Sequence, residues 1–142
     1  MRALARRLSR QLPQTSYNEI RFVVGDDSLA RDAPHFFTKT REAIQYAAEH
    51  APYSYSEFRK DVATIVLRPG AIASPYNRFQ FAVLVPASIV GTDASAYAAW
   101  LLYASGLSFG TGEADKRTSE LLQTLDPEMQ ERIRALLPRA TD

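Results

Sequence analysis

The chain has 142 residues, the size of one domain, and its 46% apolar and 23% charged residues exclude the composition of a disordered segment. Lys plus Arg number 17 against 16 Asp plus Glu, so nucleic acid or an anionic membrane could be attracted only by a local patch. Cysteine is absent, which excludes disulfides, thiolate metal ligation and a cysteine nucleophile, and suits the reducing cytoplasm expected as its location.

Residues 2–12 carry a helical period, with Leu4, Leu8 and Leu12 on one side and Arg2, Arg6, Arg7 and Arg10 on the other. This charged start is not followed by the apolar core of a signal peptide, and no run reaches the roughly 20 residues of a membrane span, so no membrane partner is expected. Pro13 ends the helix. Ile20, Phe22 and Val24 then alternate with Glu19, Arg21 and Val23, the pattern of a strand with one buried face. Gly25, Asp26, Asp27 and Ser28 turn the chain. Pro34 opens a helix with Phe37, Thr40, Ile44, Ala47 and Ala48 as its apolar stripe, and Pro52 closes it after His50.

Tyr53 to Lys60 fits a short helical turn. Val62 to Leu67 is apolar on both faces and β-branched, as in a strand covered on both sides or central in the sheet, and Phe79 to Val85 repeats that character. The whole run from Phe79 to Ile89 reads as core. Between these strands lies Arg68 to Arg78, punctuated by Pro69, Gly70 and Pro75 and too long for a tight hairpin turn. Asp93 is placed to cap an Ala-rich helix running to Leu107, apolar almost all round and therefore interior. Two amphipathic helices fill 111–138, the second opened by Asp126 and Pro127. One α+β domain over 1–142 follows, with a three- or four-stranded, mainly antiparallel sheet packed on helices and a helical C-terminal third.

The candidate chemistry is sparse. Arg2, Arg6, Arg7 and Arg10 could contact phosphates, and Arg68 and Arg78 could extend such a surface. The loop also carries Ile72, Tyr76 and Asn77, a set suited to contact with a protein. Asp26, Asp27, Asp32 and His35 lie within ten residues and offer oxygen and imidazole ligands to a cation, although turn formation and helix capping use the same residue types. His35 and His50 bracket the second helix and are about 22 Å apart along its axis, too far to share a metal.

No HExxH, phosphate loop, nucleophile elbow or dinucleotide fingerprint occurs, and no cofactor is implied. Where a minimal zinc peptidase would carry its metal-binding helix, the chain reads Leu101-Leu102-Tyr103-Ala104-Ser105, so a chain built on that scaffold would be an inactive descendant. The expected function is a noncatalytic interaction module: an accessory or regulatory protein binding a protein partner through Arg68, Ile72, Tyr76, Asn77 and Arg78 together with Arg2, Arg6 and Arg10. The alternatives are a metal-assisted hydrolase or nuclease using Asp26, Asp27 and His35, and a nucleic-acid binder using the arginines. A homodimer could complete burial of the helix over 96–107.

Overall fold

The computed structural model describes residues 12–70, 72 and 74–138. The amphipathic helix expected over 2–12, with Arg2, Arg6, Arg7 and Arg10, falls outside them but for Leu12. Within them five strands form one sheet: β1 (Gln14–Tyr17), β2 (Ile20–Val24), β3 (Thr64–Arg68), β4 (Tyr76–Asn77) and β5 (Ala82–Pro86), in the spatial order β1-β2-β3-β5-β4. Among the described residues six α-helices accompany it: α1 (Ala33–His50), α2 (Pro52–Asp61), α3 (Ala87–Val90), α4 (Ala94–Gly106), α5 (Thr111–Leu122) and α6 (Pro127–Leu136). The α+β class stands.

The expected sheet is corrected. Its three central strands, β2, β3 and β5, run parallel, and only the edge pairs β1 with β2 and β4 with β5 are antiparallel. The reason lies in the connections. Helices α1 and α2 carry the chain from the end of β2 back to the start of β3, as a parallel pair requires. After β3 the chain bypasses the adjacent position, forms β4 at the edge and returns as β5 between β3 and β4.

Residue alternation decides which side faces the helices. Ile20, Phe22, Val24, Ile65, Leu67, Val83 and Val85 are all at most 1% exposed. Val23, Val66 and Leu84 point to the other face and are half-buried, so β3 is more open on that side than its double-sided apolar character suggested.

The helix ends follow their local chemistry. Asp93 accepts from the Ala96 N–H at 3.0 Å to cap α4, and Asp126 accepts from the Met129 N–H at 2.9 Å to cap α6. Asp32 precedes α1 without a side-chain cap bond, because the chain enters that helix from a 3-10 turn over Asp27–Asp32. Asp26 caps the turn instead, accepting from the Ser28 N–H at 2.8 Å.

Helix α4 is the centre of the core. Every residue from Ser95 to Gly106 is buried within the single chain, which leaves no face of this helix for the second copy considered from sequence. Burying Leu101 and Leu102 contributes roughly 1.5–3 kcal/mol each. Tyr97 is fully buried on the same helix and its hydroxyl shares a 2.6 Å hydrogen bond with Thr40 of α1. Gly106 lets α5 approach closely: a Cβ there would sit 2.7 Å from the Ala114 Cα.

Candidate functional site

The stretch from Arg68 to Arg78 separates into structural and exposed residues. Tyr76 is 8% exposed and its hydroxyl donates to the Asp61 carbonyl at 2.6 Å, tying β4 to the end of α2. Burial, followed by the nearby Asp61 carboxylate, holds the Tyr76 hydroxyl above its ordinary pKa. Asn77 shapes the turn into β5, its Oδ1 accepting from the Phe79 N–H at 3.0 Å and the Gln80 N–H at 3.3 Å. Ile72 is half-buried.

Arg68 and Arg78 are exposed but stand at opposite ends of β5. Arg68 pairs in register with Pro86, whereas Arg78 follows Asn77, which pairs with Ala82. The interval between those register positions is roughly 13 Å. Asn77 and the two arginines therefore do not converge on one spot.

The turn after Asn77 presents a different surface. Phe79 is 84% exposed and Phe81 is 52% exposed, although both lie in the run expected to be core. The reason is register: β5 begins at Ala82, so both phenylalanines precede the covered part of the strand. The Arg78 guanidinium lies over the Phe79 ring, 5.4 Å from its centroid.

Phe81 holds φ at 52°, a conformation unfavourable for a bulky side chain. Its carbonyl accepts from the backbone N–H of Ala63 at 2.7 Å and of Thr64 at 3.2 Å, which fixes the base of the turn to the start of β3. An aromatic pair thus stands in solvent on a turn anchored by the Asn77 side chain and the Phe81 carbonyl. The Asn-Arg-Phe-Gln-Phe sequence carries the turn signal in its asparagine, but the apolar run that follows masks it.

The acidic group near β2 is used locally. Hydrogen bonds from Ser28 are the main cause holding the Asp26 carboxyl below its ordinary pKa, with a smaller contribution from the Arg68 charge. Asp27 and His35 are exposed on the 3-10 turn and the first turn of α1. Among the described residues, no three His, Asp or Glu side chains come together as a metal site would require.

The segment Leu101 to Ser105 is equally unsuited to a cation. Leu101 and Leu102 are core residues, and the buried Ser105 hydroxyl accepts from Arg117 Nη1 at 3.1 Å. Arg117 is itself 4% exposed and pairs with Asp61 at 2.6 Å and Glu113 at 3.1 Å. A dication brought to Ser105 would meet a fixed guanidinium charge. Arg117 also lies under the exposed Phe109 ring, 5.3 Å from its centroid. Comparison of the chain with protein-family models, with curated proteins and with solved structures returns no match.

Proposed function

We propose that this chain is a noncatalytic interaction module, an accessory or regulatory protein that engages a protein partner through the turn Arg78–Phe81. The observation that carries this reading is the exposure of Phe79 and Phe81 on an anchored turn. Two exposed rings on a restrained backbone lose little conformational freedom when buried by a partner, and aromatic and arginine side chains are the usual centres of binding energy at interfaces. The Phe81 conformation supports the same reading. A bulky residue at positive φ costs stability, and such positions concentrate where local strain serves a purpose.

The test compares the wild-type chain with a Phe79→Ser, Phe81→Gly double variant in nuclease-treated pull-downs, followed by binding measurements on the purified pair. The wild type is expected to retain a stoichiometric protein and the variant to bind it at least about tenfold more weakly, as for loss of a central aromatic anchor. The variant should melt no lower than the wild type, because neither ring is buried and glycine is at ease at φ 52°. Undiminished capture by the variant would remove this turn from the interface. Recovery of nucleic acid alone in a parallel pull-down without nuclease would transfer the reading to the arginines.

A further inference from the structure

Away from the aromatic turn, helices α4, α5 and α6 enclose an open cleft of about 430 Å³. Its size is that of a small-molecule site, and its wall combines apolar surface with a few polar groups, as such sites do. Leu122, Leu137 and Pro138 supply the apolar side, while Tyr103, Asp115 and Arg134 supply a hydroxyl, a carboxylate and a guanidinium.

The state of the polar groups is informative. The Asp115 carboxylate and the Arg134 guanidinium line the same cleft but make no ion pair with each other or with another described residue. Tyr103 is 8% exposed, yet its hydroxyl has no hydrogen-bond partner among the described residues. Among the described residues no fully buried side-chain polar atom lacks a partner, so this unpaired hydroxyl retains access to solvent. As a phenol it is a protonated donor at neutral pH, and burial, followed by the Asp115 charge, holds its pKa above the ordinary value.

We propose that this cleft binds a small zwitterion of the aliphatic α-amino-acid class, with its carboxylate on Arg134, its ammonium on Asp115 and its side chain against Leu122, Leu137 and Pro138. Opposite charges that line one cleft without pairing suit a ligand that carries both charges on one short frame. A plain anion would leave Asp115 opposing it, and a plain cation would face Arg134. The Tyr103 hydroxyl can donate to the ligand carboxylate, and the leucine and proline surfaces favour an aliphatic over a charged side chain.

Titration of the isotope-labelled chain with L-leucine, followed by amide NMR, tests the site. L-Leucine is expected to shift amides of α5 and of residues 134–137 selectively. Isoamylamine, which lacks the carboxylate, and isocaproate, which lacks the ammonium, are each expected to bind at least about tenfold more weakly. Arg134→Gln and Asp115→Asn should each weaken L-leucine by a similar factor while the remaining spectrum is unchanged, since both side chains are exposed. No selective shift with L-leucine, isocaproate binding as tightly as L-leucine, or unweakened binding by either variant would overturn the proposal.

Discussion

Arg117 illustrates how much depends on a single side chain of this protein. Its guanidinium joins α5 to the end of α2 through Asp61, to its own helix through Glu113 and to α4 through Ser105. Asp61 and Glu113 retain 21% and 28% side-chain exposure, so they recover some hydration when the arginine is removed. Arg117→Met is therefore expected to cost about 2 kcal/mol, less than for a wholly buried pair, read as a lowered urea midpoint with unchanged slope. Adding Asp61→Asn should return part of that loss.

Asp93 offers a pH-dependent counterpart at the same scale. The Ala96 N–H is the main cause lowering its pKa, assisted by Ser95 and by the charges of Arg132 and Lys39. Because the folded pKa is the lower one, the contribution is full above the unfolded carboxyl pKa and is lost as pH falls through the folded value. Asp93→Asn keeps the cap but removes the charge. The wild type is expected to lead this variant by under about 1 kcal/mol near neutrality, with the gap closing below about pH 4 in melting curves. That capping role was legible at Asp93 and Asp126, where a short polar residue precedes a helical period. Asp32 also precedes a helix but makes no such bond, because a 3-10 turn that leaves no sequence pattern of its own leads into α1.

At the scale of elements, the contact between α4 and α5 is the tightest constraint on packing. The Gly106 position faces the Ala114 Cα and N, which are backbone atoms and cannot swing aside. Gly106→Ala should cost about 2 kcal/mol in denaturant unfolding, whereas Gly112→Ala, with nothing within 4 Å, should be tolerated. Helices α1, α5 and α6 were readable from their apolar stripes and α4 from its continuous apolar character, whereas α2 was read only as a short helical turn and the four-residue α3 was not foreseen. Strands β1 and β4 were not readable. β1 reads Gln-Thr-Ser-Tyr, mostly exposed, with no apolar alternation to announce it, and β4 has only two residues. The β1–β2 turn was only half announced: Asn18 holds φ 51°, as such turns favour, but Glu19 takes φ 67° at the position where glycine is the usual sign.

For the molecule as a whole, composition and periodicity led to the α+β class and to the interior position of α4, but not to the direction of the central strands. The described residues between β3 and β5 contain no helix, so that connection resembled a long hairpin, and nothing local marks the two-residue strand that reverses the chain twice. The candidate turn was obscured by the same event, since Phe79 and Phe81 join an apolar run whose sheet register starts only at Ala82. Among the described residues no helix is long and apolar enough to cross a membrane.

The placement of β5 between β3 and β4 also imposes an order of assembly. During synthesis β3 emerges before either of the strands on its far side, and the one that finally occupies the adjacent slot is made last. Its exposed edge must wait for residues 82–86, while β4 has no partner until the same residues return beside it. Neither the far edge of β3 nor β4 can be paired before residues 82–86 are made, so the chain on both sides of the aromatic turn is needed to close that side of the sheet.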